Sequence, residues 1–183
     1  MKWLYIPAML ALFLTTRYTD AKAEFYFSAG VPLNYTFTGE NYNGETFKTE
    51  KVSGRLFHAH LSTLFGLGIE SYEIALKETG YSFYDQSVAI TMYDLFYVLP
   101  IPGLLFTVGA GFGETEMKCI NCGDYFNKGQ ARQLYLQVGY PFASFMDVHL
   151  SYHMISSTLV TKIEGNELDL SGTNIALGFG ISF

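Results

Sequence analysis

Large apolar residues alternate with small or polar ones from Gly172 to Phe183 at the end of the chain. Ile175, Leu177, Phe179, Ile181 and Phe183 fall on one side, and Asn174, Ala176, Gly178, Gly180 and Ser182 on the other. A period of two is the signature of a strand. The same rhythm recurs upstream and predicts strands over about 25–38, 55–64, 67–76, 88–99, 104–113, 133–140 and 147–154. In the fifth, Leu104, Phe106, Val108, Ala110 and Phe112 oppose Thr107, Gly109, Gly111 and Gly113. In the third, Leu67, Ile69 and Ala75 oppose Gly68 and Glu70, which leaves Glu73 close to a loop or on a bulge.

The connections alternate in length. Segments 39–53, 77–87, 114–130 and 160–171 are long and polar, whereas 65–66, 100–103 and 141–145 are short. Eight strands with this asymmetry predict an all-β fold, a closed antiparallel up-and-down barrel. Short turns would lie at one end, with both termini, and long loops at the other.

Which side of the strands is inside follows from their composition. A soluble barrel fills its interior with large apolar side chains and turns polar ones to water. In the fifth to eighth strands the face opposite the large apolar side is made of Gly, Gln, His, Asn, Ser and Thr, too small and polar for a soluble core. With the large side turned to lipid, the pattern becomes a transmembrane barrel with a narrow polar lumen. Tyr93, Tyr97, Phe106, Tyr140, Tyr152 and Phe183 would supply its interfacial aromatics.

Composition agrees with lipid. The chain is 49% hydrophobic, 17% aromatic and 15% charged, against about 25% charged for a soluble domain. It has no apolar run near the roughly 18 residues that a spanning helix needs. At the start, Lys2, an apolar stretch from Leu4 to Leu14 and Ala21-Lys22-Ala23 form a secretory signal peptide, 1–23, leaving 24–183 as the barrel domain. Its removal takes three bases and one acid from a net charge of −6 and makes the mature chain more acidic. That argues against nucleic acid as a partner.

With these residues in view, the chain resembles the small eight-stranded outer-membrane barrels, the OmpA-type and opacity-protein-like superfamily. The resemblance rests on the signal peptide, on Leu99-Pro100-Ile101-Pro102, on Val108-Gly109-Ala110-Gly111-Phe112-Gly113 and on the terminal alternation. It implies a bacterial outer-membrane location, contact with lipid and lipopolysaccharide, and reading of Phe179, Ile181 and Phe183 by the barrel-assembly machinery. It specifies fold and not activity.

Several groups could carry chemistry. All four histidines, His58, His60, His149 and His153, fall on inward faces. With Glu70, Asp94, Gln133, Gln137 and Asp147 they predict a lumen-filling polar network; as donors they are also candidates for a metal, although the expectation is no cofactor. The His149-Leu150-Ser151 stretch resembles the His-x-Ser of membrane-barrel lipid A deacylases. The candidate pairs are His149 with Ser151 or His153 with Ser156, oriented by Glu164 or Glu167, but the asparagine expected after the serine is Tyr152 or Ser157. Cys119 and Cys122 lie in the third long loop and predict a small exposed disulfide, free thiols being the alternative. The long loops, with Tyr42, Phe47, Tyr81, Phe83, Tyr84, Tyr125 and Phe126, are the expected recognition surface. The expected function is therefore non-enzymatic, structural or surface-interacting. A lipid A hydrolase and a route for small apolar molecules are the alternatives.

Overall fold

Each alternating stretch is a strand that pairs antiparallel with its neighbours. The computed structural model describes residues 25–40, 44–61, 64–77, 86–99, 101, 104–119, 122–162 and 165–183. The expected signal peptide, Glu164 and the loop residues Tyr42, Tyr81, Phe83 and Tyr84 lie outside them. The elements are β1 (Phe25–Phe37), β2 (Thr49–Leu61), β3 (Phe65–Leu76), β4 (Ser87–Leu99), β5 (Leu105–Lys118), α1 (Cys122–Tyr125), β6 (Gly129–Ala143), β7 (Met146–Val160), β8 (Glu167–Asp169) and β9 (Gly172–Ser182).

Successive strands pair from β1 to β7, and β9 joins β7 to β1. β8 pairs Asp169 with Thr158, and β9 pairs Gly172 with Ile155, so both keep one register on β7. Leu170 N donates to Ser157 O (2.8 Å) between them. β8 and β9 are thus one interrupted stave, the eighth of a closed barrel. At the seam, Phe25 N donates to Phe183 O (3.0 Å) and Phe183 N to Phe25 O (2.8 Å). Closure leaves no unpaired sheet edge, which lipid requires.

Three expected loops are shorter than the sequence pattern suggests. β2 begins at Thr49, β5 runs to Lys118 with β6 resuming at Gly129, and β8 occupies part of 160–171. These additions are polar on their outer side, which is why they read as loop. β1 also departs from simple alternation. Its register on β9 shifts between Pro32 and Asn34, so Leu33 and Asn34 both face outward and Tyr35 and Phe37 turn in. Asn34 Oδ1 accepts Ile175 N (2.9 Å) and repairs the ladder there. Glu73 needs no bulge: it faces outward near the long-loop end, where Lys118 Nζ donates to it (3.3 Å).

The outer wall changes character along every stave. From the short-turn end it is apolar, with Phe65, Leu67 and Ile69 on β3 and Phe112 on β5, all exposed. It then becomes polar along a paired row, Arg55, Ser71, Thr91 and Glu114. Gln130, paired with Glu114 and with Thr158, continues that row, and Arg132, just below it, is also polar. The interior changes in the opposite sense. Below the boundary it holds His58, Glu70, Asp94, Gln133, Asp147, His149, Ser151 and His153, all buried. Above it lies an apolar core of Tyr35, Phe37, Ile74, Val88, Ile90, Met117, Leu159, Leu168 and Leu170. An entirely polar lumen is therefore the wrong expectation. Only the lower part is inside-out, and only there is the outer wall apolar.

Candidate functional site

The lower lumen gathers its polar groups by period two. His58 and His60 share the inner face of β2, Glu70 and Tyr72 that of β3, and Asp147, His149, Ser151 and His153 that of β7. Glycines opposite make room for them. A Cβ at Gly68 would overlap the His58 ring, one at Gly111 the Asp94 carboxylate, and one at Gly178 the His149 ring.

Two hydrogen-bonded groups result. The central one is built on Glu70, which is fully buried. His58 Nε2 lies 3.0 Å from Glu70 Oε1 and 3.9 Å from Asp94 Oδ2. Gln133 Nε2 donates to Glu70 Oε2 (2.9 Å) and Asp94 Oδ1 (2.6 Å). Tyr72 OH also donates to Glu70 Oε2. His153 Nδ1 stands 3.3 Å from Gln133 Oε1 and 3.4 Å from Glu70 Oε2, and its Nε2 is 2.7 Å from Ser151 Oγ. The second group is smaller: His149 Nδ1 lies 2.9 Å from Asp147 Oδ1, which Tyr26 OH also approaches at 3.4 Å.

The candidate pairs therefore sort differently from the sequence pattern. Ser151 meets His153 and not His149, because i and i+2 share a face on either side of the serine and His149 is drawn to Asp147. Ser156 is exposed on the outer wall, opposite His153, and Glu167 is exposed on β8. Ser151, His153 and Glu70 do line up as hydroxyl, imidazole and carboxylate. All three are buried, however, so the line ends inside the wall rather than at a surface a lipid substrate reaches. The four histidines do not converge on one point either. His60 is half-buried at the lower end, stacked on Tyr26 with ring centroids 4.8 Å apart. Gln137 and His60 line a cleft there together with His58, Phe96 and Tyr135. That cleft is about 10 Å³, room for roughly one water. Tyr72, two residues beyond Glu70, is a member of the site that the same period of two marks, although its chemistry alone does not single it out.

The rim is the other candidate surface. Cys119 and Cys122 are joined in a disulfide, with Cα atoms 5.1 Å apart. It is not exposed: Cys122 is buried in the apolar core, and Cys119 and Phe126 pack against it. Phe47 likewise packs on Phe37, centroids 5.7 Å apart. Of the described loop aromatics named above, Tyr125 alone is exposed, because the core below the rim draws the others in. Beside the disulfide, Glu116, Gly123, Asn127, Lys128 and Lys162 line a cavity of about 230 Å³. Lys162 Nζ donates to Gly123 O (2.5 Å). Lys128 donates to Glu114 (3.2 Å), and that bond, with the charges of Glu114 and Glu116, shifts its ammonium pKa upward.

No family model and no curated protein matches the chain. Solved structures do. Neisserial surface protein A aligns with a TM-score of 0.62 and 9% identity, over 87% of this chain and 97% of its own. Ail, the attachment invasion locus protein of Yersinia pestis, aligns with a TM-score of 0.51 and 13% identity, over 89% of this chain and all of its own. At such identities the likeness is one of fold. The chain has the fold of the small eight-stranded outer-membrane β-barrels.

Proposed function

We propose that this chain is an exported bacterial outer-membrane protein whose barrel is a filled scaffold and whose rim carries its function. The observation that carries this reading is the interior. A buried polar network fills the lower lumen and an apolar core fills the upper one. What remains accessible is the outside: an apolar belt, a charged upper wall and the loops. The belt would sit among acyl chains, and the lysines of the rim near lipopolysaccharide phosphates. Export by the segment 1–23 and assembly through Phe179, Ile181 and Phe183 belong to the same reading. Two proteins of like fold carry names that place them at the surface or in attachment, which supports a surface-interaction role.

The test compares cells displaying the full barrel with cells displaying one shortened at 44–48, 123–128 and 161–166, at equal amounts of folded protein. Retention on host-cell monolayers and crosslinking to neighbouring envelope proteins are measured. The proposal expects at least one to fall for the shortened barrel; equal values in both would overturn it. The lumen gives companion expectations. A planar bilayer holding the protein stays silent, and lipid A from expressing cells keeps its acyl chains by mass spectrometry. Acyl loss that disappears in Ser151→Ala would instead establish the hydrolase.

A further inference from the structure

We infer that the lower lumen holds a site for one divalent transition-metal ion of the zinc class, ligated by His58, Glu70 and Asp94. Donor atoms of these three buried residues all lie within 4.8 Å of one another. Ligand bonds to zinc are about 2.0–2.2 Å long, so one ion between them reaches all three with small side-chain movements. The carboxylates are held for this purpose. Tyr72 and Gln133 occupy Glu70 Oε2 and leave Oε1 facing His58 Nε2. Gln133 occupies Asp94 Oδ1, while Asp94 Oδ2, buried, has no hydrogen-bond partner among the described residues. Each carboxylate thus has one oxygen fixed by a neutral donor and the other aimed at the imidazole. Such outer partners orient metal ligands and raise affinity.

Charge leads to the same ion. Every described Lys and Arg is exposed, so no fixed cation faces Glu70 and Asp94. Two buried carboxylates need compensation. A divalent ion supplies two charges and leaves His58 neutral, the form in which imidazole ligates. One nitrogen with two carboxylate oxygens favours zinc, cobalt, nickel, manganese or iron over calcium or magnesium, which take oxygen alone. Of the three ligands, His58 lines the cleft at the short-turn end, together with His60. The site is distinct from a four-histidine arrangement, since His149 is committed to Asp147.

The experiment uses untagged full barrel, folded in detergent from metal-free buffers and again in the presence of Zn²⁺ or Co²⁺. After equilibrium dialysis, metal per barrel is measured by plasma mass spectrometry, and Co²⁺ ligation by its visible absorption. The expectation is one ion per barrel, with affinity lowered 10-fold or more in His58→Gln, Glu70→Gln and Asp94→Asn. His149→Gln keeps it. Folding of each variant is checked by heat-modifiable gel migration, and only folded ones are scored. No retained metal in the native sequence under either folding protocol overturns the site, whatever the variants do. Equal binding by native protein and Asp94→Asn overturns it also.

Discussion

On the short-turn side of the row Arg55, Ser71, Thr91 and Glu114, the wall presents Phe57, Ile69, Tyr93 and Phe112 outward and encloses carboxylates and imidazoles. On the long-loop side it presents Glu73, Glu116 and Lys118 outward and encloses Ile74, Val88, Ile90 and Met117. The same staves run through both halves, and apart from the shift in β1 the period of two is kept. What changes is the outer face, apolar below and charged above, and with it the solvent that face suits. In lipid, burying apolar side chains in the lumen yields no gain over leaving them among acyl chains, so the interior is free to be polar. In water that freedom ends, and the upper half is built as a soluble barrel is. The strands, mostly 12 to 15 residues long, exceed the roughly 9–11 residues a span needs. The surplus is the upper half.

The largest effect should come from making the upper interior obey the lower half's rule. Ile90 is fully buried among Ile74, Val88 and Leu159. Ile90→Asp places a carboxylate there with no partner, and should cost about 4 kcal/mol or more. Urea unfolding in lipid vesicles, followed by far-UV circular dichroism, measures it. A loss under about 1 kcal/mol would mean that the upper interior is wet and the contrast false. Next is the outer wall. Leu95→Arg, in the apolar belt, should cost about 2–4 kcal/mol. Gln130→Arg, on the outer wall at the boundary row opposite Glu114, should stay within about 0.5 kcal/mol. Equal costs at the two positions would move the boundary.

Much of this architecture is legible in the residues, and the failures have one cause. The strands around Leu134 to Tyr140 and Ile175 to Phe183 announce themselves because apolar and small residues alternate cleanly. The upper ends do not, because Thr49 to Ser53, Glu114 to Lys118 and Glu167 to Asp169 carry charge on their outer face, and an outward charge reads as loop. Val88 and Ile90 also alternate, but with the large residues inward, the reverse of Leu95 and Tyr97 on the same strand. Nothing local says where along a strand the solvent changes. The lumen residues could be named one by one, since His58, Glu70, Asp94 and His153 are polar on the small face. Which of them touch depends on stagger between staves, so Ser151 could not be assigned to His153 over His149 from spacing alone.

A smaller effect tests how tightly the lower lumen is filled. Gly68→Ala would drive a methyl into the His58 ring, whereas a Cβ at Gly123 on the rim meets nothing within 4 Å. The first should cost about 1–3 kcal/mol as an overpacked interior, and the second within about 0.5 kcal/mol. Tolerance of both by the same assay would show a lumen with slack, and would weaken the filled-scaffold reading.

The smallest effect is the most discriminating about solvent. Lys118 and Glu73 form an ion pair of 3.3 Å on the outer wall, each side chain about half exposed, at 50% and 51%. If the upper wall stands in water, a double-mutant cycle with Lys118→Ala and Glu73→Ala should return a coupling of about 0.2–1 kcal/mol. That coupling should fade as salt rises from 0.1 M to 1 M, where the screening length shrinks to about 3 Å. Were the same pair embedded in acyl chains, breaking it would leave a charge unpaired in a low dielectric, at a cost of about 3–5 kcal/mol for a buried pair. Salt could not then reach it. A large, salt-insensitive coupling would therefore place the upper wall in lipid and undo the division of the barrel into two solvents, however well the interior packs.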